Sequence, residues 1–397
     1  MPGFEWLGEE ETRAVAEVMQ RKVLFRYEFA EQRQGVWCVR EFEEAFARFT
    51  GARFACAVSS GSAAVKVALA ALGVGYGDEV IVPGFTFVAT WEAVLDLGAK
   101  PVFCEIDQTL CLDPADLEGR ITDKTACILP VHMMGAGARI EAIKAFADQR
   151  GLPVMEDTAQ AAGGFQGGRH LGTFGALGSF SFDAVKTLTC GEGGMVVTDD
   201  EALHQNASEY QDHGHDHKPV GRGNEGRRFI GFNYRMMELQ GALGLVQLGK
   251  LPEMVATQRR HKAALKEALG RTPGVSFRDL IDESGDSATF LAWFMETPGQ
   301  AKKFARLLAD HGAPAISWGV NTWHAYHNWE HLQAGASLAR GGWPFARPEG
   351  RAAYPAQALP RTKELLSRCL SWQIMLGWDE ARLEQMTEAI NRSIAAM

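Results

Sequence analysis

The sequence predicts an α/β protein: a large domain whose mostly parallel mixed sheet is covered by helices, followed by a smaller α+β domain at the C-terminal end. From about position 53 onward, short apolar runs bounded by glycine and proline alternate with helical patterns. Such alternation is typical of a parallel sheet with helices on both faces. After about position 272, strand and helix patterns follow one another without that regularity, which indicates the second, α+β domain.

The composition is that of an ordinary globular protein. The 397 residues include 49 acidic side chains against 40 Lys and Arg, giving a net charge of -9, which disfavours nucleic acid and anionic membranes as partners. Seven cysteines stand singly, without a CxxC pair, so neither a disulfide framework nor a zinc site is expected. The N-terminal segment is acidic where a secretory signal needs bases, and no apolar run approaches ~18 residues. We therefore expect a cytoplasmic protein.

The first 35 residues are predicted to form an N-terminal helix and an arm. Residues 9–20 have amphipathic helical spacing, whereas the aromatic and basic stretch after them lacks periodicity and is interpreted as an extended arm on another surface. The large domain is assigned to residues 36–250 and starts with a helix over 39–49. The small domain is assigned to residues 251–397.

The alternating pattern of the large domain defines its elements. The predicted strands are FACAVSS, GDEVIVP, AKPVFCEID, TACILPVH, PVMEDTA, GSFSFD and GMVVTD. Helices are predicted at SAAVKVALAALG, TFVATWEAVLDLG and RIEAIKAFADQR. The polar segment over 200–235 is predicted to cross a surface or to reach a partner. Two separate helices are predicted next, at 236–249 and at VATQRRHKAALKEALG. The small domain contributes the strand ATFLAWFME and the helices QAKKFARLLADHG and DEARLEQMTEAINRSI.

Polar and aromatic residues gather where the predicted strands end, the edge at which parallel sheets bind ligands. Ser59–Ala64 opens a helix whose free N–H groups suit an anion, although Ser is also an ordinary helix cap there. Phe87 stands where its ring can lie against a planar ligand or pack in the core. Asp157 ends a buried strand, which is costly for an unpaired carboxylate. A cationic ring nitrogen, or the start of the next helix, would supply its partner.

Lys186 completes this set. It follows an apolar strand and precedes the glycine-rich turn GEGG, so its amine is held at the edge of the sheet. Pyridoxal 5'-phosphate (PLP) requires an amine for a Schiff base, a carboxylate for its ring nitrogen, a stacking ring and a phosphate cup. The combination predicts a PLP enzyme that forms pyridoxamine phosphate during turnover.

Four blocks of the sequence resemble a known family: VPGFTFVAT, EDTAQAAG, LGSFSFDAVKTLTCGEGGMVVT and GFNYRMMELQGALGLVQL. They are similar to the DegT/StrS-type sugar aminotransferases, a branch of the fold-type I PLP enzymes, over about positions 36–250. The resemblance implies Lys186 as the Schiff-base lysine and general base, and Asp157 as the partner of the ring nitrogen. It also implies further cofactor contacts by Gln160 on the phenolic oxygen, Gly61, Ser62 and Ser181 on the phosphate, and Phe87 on the ring. Asn233 would reach the phosphate of a neighbouring subunit, which implies a homodimer with shared active sites.

The sequence departs from the common family pattern at three places. Cys190 stands where glycine is usual and Asp183 occupies a variable position, and neither change is expected to abolish the chemistry. The third is the run DHGHDH, at 212–217, whose three histidines alternate on a loop without a fixed scaffold. This run could hold a metal, but we interpret His213, His215 and His217 as a substrate-binding or structural loop and expect no metal. With Arg235, the loop is assigned to binding an acidic sugar.

The substrate is predicted from a narrower resemblance. The segments MPGFE, FRYEF, EIDQTLCLDP, PVHMMG and DAVKTLTCGEGG, with DHGHDH, are similar to those family members that aminate the eight-carbon acidic sugar 8-oxo-Kdo for lipopolysaccharide, with glutamate as the expected donor. A nucleotide-linked keto-hexose is the alternative substrate. Two other classes stay open: a non-catalytic PLP-binding regulator, and a PLP-dependent sugar dehydratase, which typically has His at the position of Lys186.

Overall fold

The structure is a computed structural model that describes residues 3–218, 223–348 and 350–397. It has the mixed α/β architecture expected from the sequence, with a large sheet near the middle of the chain and a smaller one toward its C-terminal end. Across the described residues, none of the helices combines the length and apolar character needed to cross a bilayer.

The large sheet holds seven strands, in the order β3-β2-β4-β5-β6-β7-β1. Their bounds are β1 Phe54–Val58, β2 Glu79–Pro83, β3 Lys100–Cys104, β4 Thr125–Ile128, β5 Met155–Asp157, β6 Leu177–Ser181 and β7 Gly194–Thr198. Strand β7 runs antiparallel to β6 and β1, whereas the pairs β3–β2, β2–β4 and β5–β6 are parallel. Strands β4 and β5 are joined by two parallel bridges. The prediction of a mostly parallel mixed sheet, and each of its seven strands, is confirmed.

Twelve α-helices occur in the described residues. They are α1 Glu9–Arg21, α2 Ala30–Arg33, α3 Cys38–Thr50, α4 Gly61–Ala71, α5 Val88–Asp96, α6 Ile140–Asp148, α7 Glu201–Tyr210, α8 Glu238–Leu269, α9 Pro298–Asp310, α10 Glu330–Ala334, α11 Pro360–Ser367 and α12 Glu380–Ala395.

The large sheet has a buried core on each face. On one face, side chains of α4, α5 and α6 pack against alternate residues of the strands, such as Val58 and Leu177. On the other face, Phe42 and Phe46 of α3 pack against Phe180 and the residues around it. Because side chains alternate along a strand, strands β1, β6 and β7 supply residues to both cores, which explains why these strands have few exposed positions.

A second sheet lies in the part of the chain assigned from the sequence to the small domain. Its strands are β8 Ser276–Phe277, β9 Phe290–Phe294, β10 Ile316–Ser317 and β11 Cys369–Gln373. They are antiparallel and lie in the order β8-β9-β11-β10. Side chains of α8, α9 and α12 pack on one face, around Trp293 and Trp372, whose ring centroids are 4.6 Å apart. The predicted strand ATFLAWFME and the two predicted helices are confirmed.

Three local expectations were wrong. The start of the polar segment, Glu201–Tyr210, is the helix α7, capped by the Asp200 carboxylate. The two helices predicted on either side of Leu251 are one helix, α8, with Pro252 inside it. Buried Leu251 and Val255, on the two sides of this proline, belong to the same core, and their burial offsets the ~3 kcal/mol or more that an interior proline costs. The predicted domain boundary at 250 falls within α8.

The third difference concerns the arm. The stretch after α1 was expected to extend over another surface, but it folds onto its own chain. Arg26 donates to the Ala57 carbonyl at 2.8 Å and pairs with Glu43 at 2.6 Å. The fully buried Arg33 pairs with Glu238, at the start of α8, at 3.0 Å. Arg26 and Arg33 therefore anchor the stretch to its own chain.

Candidate active site

Asp157 lies at the carboxyl end of β5 and is 4% exposed. Thr90 of α5 donates its hydroxyl to Oδ2 at 2.8 Å, and the Ala159 N–H donates to Oδ1 at 3.0 Å. Thr86 and Thr90 hydroxyls are 2.7 Å apart, and because Thr90 gives its proton to Asp157, Thr86 is the donor to Thr90. Burial nevertheless raises the pKa of Asp157, since two neutral donors and the charge of Lys186 do not replace lost hydration.

Lys186 lies in the turn that follows β6, the parallel neighbour of β5. Its backbone N–H donates to the Asp183 carbonyl at 3.0 Å, and its carbonyl accepts from the Gly3 N–H at 2.8 Å. Burial lowers the pKa of its amine, and the charges of Asp183 and Asp157 only partly oppose this. The amine has no hydrogen-bond or ion-pair partner within the described parts of the chain. The two predicted catalytic side chains are therefore brought to one edge of the sheet, each destabilised in its charged form.

The predicted phosphate cup forms at the start of α4. The Ser60 hydroxyl caps this helix by accepting from the Ala63 N–H at 3.1 Å, and the Ser62 side chain stays exposed. A Cβ on Gly61 would lie 2.5 Å from the Cβ of Ser181, so only glycine lets the helix start meet the end of β6. The structure thus brings Gly61, Ser62 and Ser181 together, with the helix dipole pointing outward.

Gln160 and Phe87 flank the same edge of the sheet. The Met134 N–H donates to Oε1 of Gln160 at 3.0 Å, which orients its NH2 group as a free donor. Phe87 stands at the start of α5 with 37% of its surface exposed, so it is not a core phenylalanine. Its ring contacts Trp323 and His324, with centroid distances of 6.0 and 5.4 Å.

Asn233 lies in the segment between α7 and α8. It is exposed and lines a cleft of ≈ 970 Å³ together with Ser59, Ser60 and Ser62. The Ser59 N–H donates to the Tyr234 carbonyl at 2.7 Å, which fixes this segment beside the end of β1. Asn233 is therefore presented on the surface beside the phosphate cup.

The histidine loop and Arg235 form a separate group around Asp212. Arg235 is ion-paired with this carboxylate, and His215 and His217 lie 3.5 and 3.9 Å from its other oxygen. His217 also stacks on Tyr27, with a centroid distance of 4.6 Å. A cleft of ≈ 480 Å³ is lined by the three histidines and Arg235. Among the described residues, no group of three or more potential ligands is arranged to hold a metal ion.

The residues present at the sheet edge fit PLP. Asp157 is a buried carboxylate whose charged form a cation would stabilise. Burial favours the neutral amine of Lys186. The NH2 group of Gln160 has no acceptor among the described residues. The helix start at Gly61 adds an anion site beside Ser181. Each of these features is costly or unused in the protein alone, and each matches one part of the cofactor.

Two residues of the site were not singled out from the sequence. Thr90 lies in the first turn of α5, four residues after Thr86, which precedes the helix, and this spacing could have indicated a hydroxyl pair. His324 belongs to the aromatic loop of the small domain, whose residues are as easily explained by core packing. Its position against Phe87 depends on how the two domains meet, which no local pattern encodes.

Comparison with known proteins gives a consistent result. The sequence model of the DegT/DnrJ/EryC1/StrS aminotransferase family matches residues 6–391. The aminotransferase from Psychrobacter cryohalolentis is similar at 28% identity, over 98% of each chain, with a TM-score of 0.84. DesV from S. venezuelae, in complex with a ketimine intermediate, shares 28% identity over 96% of this chain and 93% of its own, with a TM-score of 0.78. DesI, in the presence of its TDP-sugar product, shares 26% identity over 98% of this chain and 92% of its own, with a TM-score of 0.75.

Proposed function

This chain belongs to the DegT/DnrJ/EryC1/StrS aminotransferase family, and on that premise we propose that it transfers the amino group of L-glutamate to 8-oxo-Kdo. The product is 8-amino-3,8-dideoxy-manno-octulosonate, a sugar for lipopolysaccharide. The coarser statement needs no proposal, since members of this family are fold-type I, PLP-dependent sugar aminotransferases. Membership of this family identifies the chain as an enzyme, and the alternative of a non-catalytic PLP-binding regulator is not retained.

The observation that supports this chemistry best is the pair formed by Asp157 and Lys186. Bound PLP supplies an aldehyde and an electron-withdrawing ring. Asp157, at the end of β5, would hold a proton on the ring nitrogen, and burial raises the pKa of its carboxyl, which a cationic partner would lower. Lys186 would hold the aldehyde through its amine, and burial lowers the pKa of that amine, which favours its neutral, nucleophilic form.

The same lysine then moves the proton. As a free amine, Lys186 would serve as the general base that carries a proton between the α-carbon of the amino donor and C4' of the cofactor. Gln160 would donate to the phenolic oxygen, Phe87 would cover the ring, and Gly61, Ser62 and Ser181 would hold the phosphate. These roles are proposals supported by the position of each residue at the sheet edge.

An acidic sugar is favoured by the second cleft. A carboxylate-bearing substrate needs cationic or donor groups. The cleft offers Arg235, Lys218 and the three histidines of the loop, His213, His215 and His217, although Glu28 and Glu225 also line it. In the protein alone, Asp212 occupies Arg235. A substrate carboxylate must therefore compete with Asp212 for Arg235.

A nucleotide-linked keto-hexose is the second candidate substrate. It is favoured by the similarity to DesI, whose structure was obtained in the presence of its TDP-sugar product. That similarity extends over 98% of this chain at 26% identity, a level that leaves room for a different sugar.

Glutamate-dependent amination distinguishes these candidates. Purified enzyme is assayed with 8-oxo-Kdo and, in parallel, with 3-keto and 4-keto nucleotide sugars. We expect product from 8-oxo-Kdo, and conversion of only a nucleotide sugar would disprove the assignment. The carboxyl methyl ester of 8-oxo-Kdo is the matched control. Because it lacks the charge-assisted contact, its kcat/KM should be roughly 10- to 100-fold lower than that of the acid. The Arg235→Gln variant should have similar kcat/KM values for the acid and the ester.

We further propose a cytoplasmic homodimer with shared active sites. Asn233 is exposed at the rim of a cleft beside Ser62, where a second subunit can meet it. All seven cysteines are free and buried, which suits a reducing compartment.

A further inference from the structure

The loop of the small domain that carries His324 is fixed to the loop after β2. The Thr86 N–H donates to the His324 carbonyl at 3.0 Å, and the Tyr326 N–H donates to the Gly84 carbonyl at 3.0 Å. Two reciprocal backbone contacts of this kind leave the imidazole little freedom. The ring therefore sits beside Phe87, at the proposed cofactor site, although it belongs to the other sheet's domain.

Asn321 determines which ring nitrogen of His324 carries the proton. Its Oδ1 accepts from the backbone N–H groups of Trp323 and His324, at 3.0 and 2.9 Å. Two fixed donors identify this atom as the oxygen, because a flipped amide would place NH2 against N–H. The same oxygen lies 3.1 Å from Nδ1 of His324, so Nδ1 is a donor. In the neutral ring, Nε2 then has a free lone pair.

The surroundings of this imidazole keep it neutral. It packs against the rings of Phe85 and Trp318 as well as Phe87, none of which carries a charge. Burial lowers the pKa of His324 to about 4, and the charge of Lys186 acts in the same direction. The adjoining cleft, beside Phe87 and Trp323, adds the titratable groups Glu92, Glu330 and His331.

We propose that His324 is a positioning residue for Lys186: Nε2 accepts a hydrogen bond from the free amine and directs it toward the reacting carbon. Two observations support this. Asn321 fixes the tautomer of the ring. The contacts from the His324 carbonyl to Thr86, from Thr86 to Thr90 and from Thr90 to Asp157 place the loop beside the proposed catalytic carboxylate, one strand away from the turn of Lys186. The inference rests on the proposed catalytic role of Lys186. A protonated His324 could not accept this bond and would repel the ammonium form of the lysine.

Two substitutions separate this role from simple packing. His324→Leu removes the acceptor, whereas His324→Gln keeps an amide oxygen near the position of Nε2. We expect His324→Leu to lower kcat about 10-fold with little change in KM, because one hydrogen bond to a charged or nucleophilic group is lost. His324→Gln should recover most of that loss. Equal losses in both variants, with parallel losses in thermal stability, would overturn the proposal.

The Asn321→Asp variant tests the tautomer through pH. A carboxylate beside Nδ1 stabilises the imidazolium and raises the pKa of His324. The variant should therefore lose kcat as pH falls through this raised pKa, in a range where the wild type is still active. A wild-type pH profile in Asn321→Asp would contradict the proposal.

Nitrogen NMR of the cofactor-free protein gives a readout without turnover. In 15N-histidine-labelled protein, with His324→Gln identifying the signal, the His324 spectrum should show a protonated Nδ1 and a bare Nε2 at pH 7. A proton on Nε2, or a fully protonated ring, would disprove the inference while the role of Lys186 stands. Failure of Lys186 itself to bind cofactor would overturn both.

Discussion

At the scale of the residue, desolvation disfavours the charged forms of Asp157 and Lys186 in the protein alone. In the protein alone, Asp157 is buried and Lys186 is partly buried, and the pKa of each is shifted toward the neutral form. A protonated ring nitrogen beside Asp157 would reverse its shift, because an opposite charge favours the carboxylate. The Asp157 carboxylate therefore destabilises the cofactor-free fold and stabilises the cofactor-bound enzyme.

Asp157→Asn tests this double effect. The folded pKa of Asp157 is raised, so the folded protein keeps a proton that the unfolded chain releases, and the stability from this group is lost as pH rises from the unfolded pKa through the folded one. At pH 7 we expect the cofactor-free variant to be at least as stable as wild type in thermal unfolding. Its cofactor affinity should fall by about 10- to 100-fold. A variant that is less stable without cofactor, yet binds it normally, would contradict this account.

The site at the residue scale was only partly predictable. Lys186, Asp157 and Gly61 follow strands or open a helix, so the sequence pattern and the edge rule for parallel sheets place them together. His324 and Thr90 were missed, because their importance arises from contacts between segments that the chain separates widely.

At the scale of the element, the junction between α4 and β6 shapes the phosphate cup. The helix start approaches Ser181 so closely that a single methyl group on Gly61 would collide with it. The glycine is required here by contact, and not by an unusual backbone angle.

Gly61→Ala should therefore affect both stability and cofactor binding. The added Cβ would lie 2.5 Å from the Cβ of Ser181, and relief of such a clash costs about 1–3 kcal/mol in the free energy of unfolding. Gly75→Ala is the matched control, since a Cβ there meets nothing within 4 Å. Urea unfolding and PLP titration measure the two effects. If the two variants had the same free energy of unfolding and the same PLP affinity, the junction would accommodate a Cβ at Gly61, which would contradict the predicted clash.

The arm is the second element whose energetics can be tested. Arg33→Met leaves Glu238 buried without its cation, and breaking a buried pair costs about 3–5 kcal/mol. The Cys38 N–H still donates to Glu238, so adding Glu238→Gln retains an acceptor and removes the charge. We expect the double variant to regain part of the stability in urea unfolding. A double variant less stable than Arg33→Met would argue that the charge of Glu238 is not the source of the loss.

Elements were more predictable than their ends and junctions. The seven strands were found because each lies in a short, mainly apolar run bounded by turn residues. Helix α7 was missed since its polar sequence, EALHQNASEY, buries little, and α8 was divided at a proline whose cost is offset by tertiary packing. Both errors arise where packing overrides local propensity.

At the scale of the molecule, the N-terminal segment ties the site to the small domain. The Gly3 N–H donates to the carbonyl of Lys186 at 2.8 Å. Two residues later, the Glu5 carboxylate accepts from the N–H groups of Leu376 and Gly377 at 2.9 and 2.8 Å. The backbone of the proposed catalytic lysine is thereby linked to the end of β11 through one short turn.

A shared active site predicts complementation between inactive subunits. If Lys186 of one subunit works with Asn233 of the other, then Lys186→Ala and Asn233→Ala homodimers each lack function. Hybrids formed by mixing and re-association contain one intact site, so we expect about a quarter of wild-type activity at equal proportions. No recovered activity, with hybrids confirmed by native mass spectrometry, would contradict shared sites.

The attachment point of the cofactor tests the central claim most directly. Borohydride reduction of the PLP-loaded enzyme makes the bond between lysine and cofactor permanent, and peptide mass spectrometry then locates it. We predict a phosphopyridoxyl group on the peptide that contains Lys186, and none on any lysine of the Lys186→Ala variant, which should still bind the cofactor without turnover. Labelling of a different lysine in the wild type, or no covalent label at all, would contradict the account.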